Sequence, residues 1–172
     1  MIVYRDGLGT SMIPSIKQTE IDQMLGAVSE LEAETKIVYI VVNKKINQRF
    51  FKEGRNGLCN PEPGTVVNQG VVEPNSYDFY LISQITKQGV SSPTHYRIVH
   101  DDTGLDPAKL ELLTFKLCFN YYNVSGSIKV PSPVQYANRL ACLIGDRGRD
   151  KDGNFPIPHN VWSTNLNYLY FI

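Results

Sequence analysis

The sequence is poor in the features that would assign it to a disulfide scaffold, a metal module or a membrane protein. It has three cysteines, Cys59, Cys118 and Cys142, an odd and scattered set. No two of them stand at metal-ligand spacing, and an odd number argues against a disulfide framework. Reduced thiols in a cytosolic or nuclear protein fit best. There is no excess of either charge, with 17 Lys plus Arg against 17 Asp plus Glu. No global field draws nucleic acid to the chain, so any such binding must use a local patch. No apolar stretch approaches the ~18 residues that cross a bilayer. The start, Met1-Ile2-Val3-Tyr4-Arg5-Asp6, is not a signal peptide, because no basic region precedes a long apolar run. Internal repeats, glycine-rich phosphate loops, nucleophile elbows and zinc motifs are all missing.

What remains is a well-packed core composition. A length of 172 residues predicts about one domain. The 42% hydrophobic fraction, with ten tyrosines and seven phenylalanines, excludes disorder. Met1 to Arg5 reads as a short buried strand, broken by Gly7, Gly9 and Pro14. Thr19 opens a helix, with Asp22 three residues later as in a capping box. Ile21, Met24, Leu25, Val28 and Leu31 give it one apolar face. Lys36 to Val42 is a β-branched run with little alternation, as in a strand buried on both faces. Strand, helix and strand in this order predict a parallel βαβ unit.

Asn43 to Gly64 reads as a polar loop. Strands are expected within Thr65–Val72, over Tyr77–Ser83 and over His95–His100. Asp106 caps the next helix, with Pro107 at its first position and Leu110, Leu113, Leu117, Cys118 and Tyr121 on its buried side. A last helix starts at Ser132 and Pro133 and stops at Gly145. Asp146 to Asn165 is a surface loop, and an aromatic segment, Leu166 to Ile172, closes the chain. The order predicts one α/β domain with helices on both faces of its sheet. The first strand wants neighbours on both sides, and an edge left there would invite association.

Few residues point to chemistry by themselves. Lys44, Lys45, Arg49, Lys52 and Arg55 form a basic run with Phe50 and Phe51 among them. Loops at the ends of parallel strands are the usual ligand edge of an α/β sheet, and cations there neutralise phosphates. A solvated loop of ordinary charge explains the run equally, and the two phenylalanines read as loop anchors. Asp6, before a glycine at a strand end, suits a metal ligand or a turn. Asp101 and Asp102 read as turn and cap groups, since neighbours on a strand point to opposite faces. His95, His100 and His159 share no ligand spacing and read as structural histidines.

Seven ordered segments nevertheless carry a family resemblance. They are Tyr4-Arg5-Asp6-Gly7; Ile40 to Lys45 with Arg49-Phe50-Phe51; Pro63 to Val67; Tyr77 to Leu81; Gln88-Gly89 with Ser92 to Tyr96; Leu113 to Cys118; and Val130 to Ala137. Together they resemble the C-terminal part of a PIWI domain, the RNase H-like lobe of Argonaute and Piwi proteins. Gln135-Tyr136-Ala137 and Tyr121-Tyr122-Asn123 lie closer to the Piwi branch. The resemblance implies an RNase H-like α/β fold, with residues 1–172 a partial PIWI domain that lacks its first strands and the upstream N, PAZ and MID domains. It implies binding of a small, piRNA-like guide RNA and its complementary target in RNA-mediated silencing.

By position, Lys45, Arg49, Gln84, Tyr121, Lys129 and Gln135 correspond to family residues on the guide backbone. The family cuts RNA with two aspartates, a glutamate and a histidine on magnesium. Asp6 matches the second aspartate and Asn138 stands where the histidine belongs, so independent cleavage is not expected. The family also implies a Mg2+ at the guide 5′ phosphate, held in some members by the C-terminal carboxylate, here Ile172. A packed terminus is the other reading of that residue. Two alternatives stay open: an RNA-guided endoribonuclease within a longer protein, and a non-catalytic module for silencing-factor proteins or a non-functional fragment.

Overall fold

A computed structural model describes residues 1–30, 34–55, 57–74 and 76–147. The strands are β1 (Ile2–Asp6), β2 (Val38–Asn43), β3 (Lys52–Gly54), β4 (Gly57–Cys59), β5 (Thr65–Val67), β6 (Tyr77–Ile82) and β7 (Thr94–Asp101). The α-helices are α1 (Ile13–Ile16), α2 (Asp22–Glu30), α3 (Pro107–Leu117) and α4 (Ser132–Arg147). Five strands form one mixed sheet in the order β1-β2-β7-β6-β5. The β1–β2 pair is parallel, as the βαβ reading requires, and the remaining pairs are antiparallel.

Alternation along the strands sorts the core into two clusters. On one face Val38, Ile40, Val42, Phe79, Leu81 and Tyr96 pack with Leu110, Cys118, Val130 and Val134 from α3, α4 and the segments flanking them. On the other, Tyr39 and Val41 pack with Leu8, Ile16 and Ile21. Each fully buried side chain of this kind contributes about 1.5–3 kcal/mol. β2, buried from Val38 to Val42, is shared by both. Gly64 has φ +91, and a Cβ there would stand 3.0 Å from the Phe115 ring, so the β5 turn and α3 meet only with glycine at this place.

Several expectations need correction. The first helical segment does not open at Thr19. It begins with a 3-10 turn at Thr10–Met12, runs through α1, passes a π turn at Lys17–Ile21 and continues as α2. Pro14 lies in the first turn of α1, where its missing amide costs nothing. Thr19 is not a cap, because its hydroxyl donates back to the Ser15 carbonyl at 2.9 Å. The polar loop after β2 holds a short hairpin, β3–β4. Phe50 meets Tyr80 edge-on at 5.3 Å, whereas Phe51 is exposed rather than an anchor.

Asp106 caps α3 as expected, accepting from the Ala108 amide. Its buried side differs, however: Leu113 is exposed, and Glu111 and Thr114 are buried instead. Glu111 accepts from Asn68 Nδ2 at 2.9 Å, and Thr114 Oγ1 lies 2.9 Å from the Tyr4 hydroxyl, so these polar groups are satisfied inside. α4 runs through Gly145 to Arg147. Leu31, His159 and the closing segment with Ile172 lie outside the described residues.

Candidate nucleic-acid interface

β1 and β2 run parallel, so their C-terminal ends deliver Asp6 and the Asn43–Lys45 segment to one edge. Gly7, at φ +82, turns the chain away directly after Asp6. Arg5 fixes this corner. Its Nη1 donates to the Asp6 carbonyl at 2.9 Å, while Nε and Nη2 donate to the Glu20 carboxylate at 2.9–3.2 Å. Tyr39 adds its hydroxyl to the same carboxylate at 2.5 Å. Hydrogen bonds from Arg5 and then from Tyr39 hold the Glu20 carboxyl below its ordinary range. Burial and the Glu20 carboxylate push the Tyr39 phenol upward.

The start of α4 reaches the same corner. Asn138 Nδ2 donates to Asp6 Oδ2 at 3.1 Å, joining residues 132 apart in sequence. Lys44 Nζ pairs with that same oxygen at 2.5 Å. Asp6 is thus already served by an ammonium and an amide. A two-ion centre needs several carboxylates to hold its cations. Asp6 offers one, Asn138 brings a neutral side chain whose amide faces Asp6, and no group of three or more His, Cys, Asp or Glu gathers among the described residues. The residues present do not fit a magnesium pair.

Lys129 joins the edge from the segment before α4. That segment is stitched to the sheet: Ser83 Oγ donates to the Ile128 and Lys129 carbonyls at 2.8 and 3.1 Å, and Thr94 Oγ1 donates to the Lys129 carbonyl at 3.1 Å. Lys129 Nζ then donates to the Lys44 carbonyl at 3.0 Å and to Ser92 Oγ at 2.9 Å. Burial, and next the charges of Arg49 and Lys44, hold the Lys129 ammonium below its usual range. Lys129 therefore feels two other cations, and an anion beside it would relieve that repulsion. Arg49 folds back on its own loop, donating to the Ile46 and Gln48 carbonyls at 2.8 and 2.6 Å. Lys45 is exposed and lines the cavity of about 430 Å³ beside Asp6. Gln84 donates to the Ser127 carbonyl at 3.2 Å and shares a small cavity of about 140 Å³ with Lys129.

Tyr121 and Gln135 lie apart from this edge. The nearby Arg139 guanidinium pulls the Tyr121 phenol down from its usual range, although the hydroxyl itself is buried with no hydrogen-bond partner among the described residues. The Tyr121 and Tyr136 rings lie 5.3 Å apart. Since α4 carries Gln135, Asn138 and Arg139, one helix links this group to Asp6.

Sequence reasoning missed three features. Arg139 was not singled out, though it stands one turn after Gln135. Lys44 was read only as part of a basic run, and nothing local predicts its ion pair with Asp6. The third is a dyad in which His95 Nε2 meets Asp78 Oδ2 at 2.6 Å, with Ser76 Oγ donating to Asp78 Oδ1 at 2.7 Å. A period-two polar pattern did announce it: Asp78 and Tyr80 alternate with apolar residues on β6, as His95 and Arg97 do on β7. His95 is structural, as expected, stacking on Tyr80 at 4.4 Å. Asp101 serves the turn as expected, accepting from the Thr103 amide, whereas Asp102 is no local cap: it accepts from the Ile37 amide, just before β2.

A five-stranded mixed sheet covered by helices on both faces is the architecture of an Argonaute-type lobe. A family model described as the Piwi domain matches residues 1–148, and the chain belongs to that family. It is 42% identical over 147 residues to Piwi-like protein 1 of Danio rerio, an alignment covering 84% of this chain and 17% of that protein. The crystal structure of Drosophila Piwi superposes with a TM-score of 0.76 at 38% identity, covering 84% of this chain and 20% of the other. A Kluyveromyces polysporus Argonaute, solved with a guide RNA, shares the fold with a TM-score of 0.71 at 22% identity, covering 82% of this chain and 19% of its own. The chain thus spans about a sixth of the length of the relative it matches in Danio rerio.

Proposed function

We propose that this chain is a guide-RNA-binding part of a Piwi-type silencing protein, acting in the cytoplasm or nucleus, and that it holds a piRNA-like strand and its paired target by backbone contacts without cutting on its own. Family membership supports small-RNA-guided silencing. The observation that carries the binding reading is the meeting of Lys129 Nζ with the Lys44 carbonyl, beside a cavity lined by Lys44 and the exposed Lys45. Phosphate contacts from such an edge position a strand and read no sequence. Gln84 supports the same edge, and Tyr121, after α3, and Gln135, on α4, supply a second set of contacts. The C-terminal carboxylate of Ile172, with a Mg2+ at the guide 5′ phosphate, belongs to the same reading.

Binding through phosphates alone is modest and falls with salt, with a slope of about −0.7 per phosphate neutralised on a single strand. The double variant Lys45→Glu with Arg49→Glu is expected to abolish binding to a single-stranded RNA. Unchanged affinity would instead favour a surface for silencing-factor proteins.

One observation favours a second reading, in which Asp6 cuts RNA within a longer protein. Asp6 and Asn138 do meet, as the two catalytic positions of a slicer would. Yet Asn138 is neutral and offers no proton transfer near neutral pH, and Lys44 already occupies Asp6. Magnesium-dependent cleavage of a guide-matched RNA by this chain, lost on Asp6→Ala, would refute the non-cutting reading.

A further inference from the structure

A carboxylate withdrawn from water needs a counter-charge. Asp6 is in that position at the end of β1, with a side chain only 18% exposed. It lines the cavity of about 430 Å³, where Lys44 and Lys45 are the other charged residues. One negative charge therefore meets two positive ones. The chain itself supplies the counter-charge. Lys44 Nζ stands 2.5 Å from Asp6 Oδ2, and Asn138 Nδ2 donates to the same oxygen at 3.1 Å.

Each partner is held from outside the contact. Asp6 lies opposite Val42 in the parallel β1–β2 register, so Lys44 leaves the sheet two residues further on, at the same edge. The Lys44 carbonyl accepts from the Lys129 ammonium at 3.0 Å. The Asp6 carbonyl accepts from Arg5 Nη1 at 2.9 Å, and Arg5 Nε is anchored on Glu20. Asn138 arrives on the long helix α4. The pair thus joins two fixed main-chain positions, unlike a surface ion pair between loose side chains, whose ordering cost consumes its Coulomb gain.

A divalent ion at Asp6 would need the oxygen that Lys44 and Asn138 already share. It would have to displace the ammonium and turn the Asn138 amide to present its carbonyl oxygen. It would then sit beside two lysines with one carboxylate to offset it, and like charges a few ångströms apart repel. Hard cations also take roughly six oxygen ligands, and the side chains at this corner offer few.

We infer that Lys44 is the resident cation of this corner: its ammonium holds Asp6 in place and closes that carboxylate to divalent ions. The inference rests on the non-cutting reading above and gives it a cause. Lys44 is a positioning residue, tying the ends of β1 and β2 to α4 with a charge carried by the chain rather than drawn from solution.

The test titrates MnCl2 into the full chain and follows paramagnetic broadening of the Gly7 amide and Asn138 carboxamide resonances. The parent chain is expected to show no saturable broadening there, and Lys44→Arg should behave like it. Lys44→Met leaves Asp6 without a counter-charge and should show saturable broadening at both groups. Broadening in the parent that is lost on Asp6→Asn would overturn the inference. Broadening in none of the forms would overturn it too, since Lys44 would then not be what keeps the ion out. In denaturant unfolding, Lys44→Met is expected to lower the folded-to-unfolded ratio about fivefold, with Lys44→Arg recovering most of the loss. An unchanged ratio would overturn the positioning role. If Lys44→Met does not fold, Lys44→Gln, which keeps a donor for Asp6, replaces it in both measurements. A parent chain that takes Mn2+ at Asp6 yet leaves a guide-matched RNA whole would sink this inference and spare the non-cutting reading. Cleavage lost on Asp6→Ala would sink both.

Discussion

One face of the central sheet is built in two ways. Over β1 and β2 it is apolar, and Tyr39 and Val41 lie sealed beneath Ile16 and Ile21. Over β6 and the start of β7 it is polar, and Asp78, His95 and Arg97 sit nearly as deep, with no helix above them among the described residues. Burial and apolarity are thus separate properties here. The covered half is held by area removed from water, whereas the open half is held by specific partners. A packed apolar surface tolerates other apolar side chains of similar volume; a polar one does not, because each lost partner strands another.

Perturbing the two halves therefore gives different signatures. In the covered half, Tyr39→Ala leaves a cavity and removes a donor from Glu20, and is expected to cost about 3–5 kcal/mol in denaturant unfolding. In the open half, Asp78→Ala strands His95 and Ser76 and should cost about 1–3 kcal/mol, whereas Asp78→Asn should recover part of that loss. A full recovery with Asp78→Leu would show that the open half is ordinary core. Glu20→Gln weakens the link between the helical segment and Arg5, for about 1 kcal/mol given its partial exposure.

The sign of the corresponding pH effect follows from the lowered Glu20 carboxyl. Its contribution is complete above the ordinary glutamate range and is lost as pH falls through the lower folded-state value. The parent chain should lose this stability on acidification, and Glu20→Gln should not. The smallest stability change is expected at Lys45→Ala, within about 0.5 kcal/mol, even though the proposed function has this variant weaken RNA binding. A large stability loss there would mean that Lys45 serves the fold.

The sequence disclosed the sheet better than its coverings. β2, β6 and β7 were legible because β-branched and aromatic runs between turn residues admit few other readings. The cap at Asp106 was legible because its signal is local. The helical start at Thr10 was not, since Gly7, Gly9 and Pro14 read as breakers, and only the finished turn shows Pro14 placed where its amide is dispensable. Leu113 was misplaced because apolar spacing cannot know that Glu111 and Thr114 find partners inside. At the site, Lys45 and Arg49 stood out within a basic run and Asp6 as a strand-end carboxylate, whereas Asn138, Gln84, Tyr121, Lys129 and Gln135 came from resemblance alone. The contact of Asp6 with Lys44 and Asn138 depends on long-range closure of β1, β2 and α4, which no local window contains.

Lys129 has a further consequence. Its ammonium fastens three separate stretches of chain, through the Lys44 carbonyl, the Ser92 hydroxyl and its own stitched backbone. An ammonium carries three N–H donors, and these bonds take two of them. One N–H stays open to a newcomer while the other two keep the loops tied, so this side chain can greet a ligand without letting go of its neighbours.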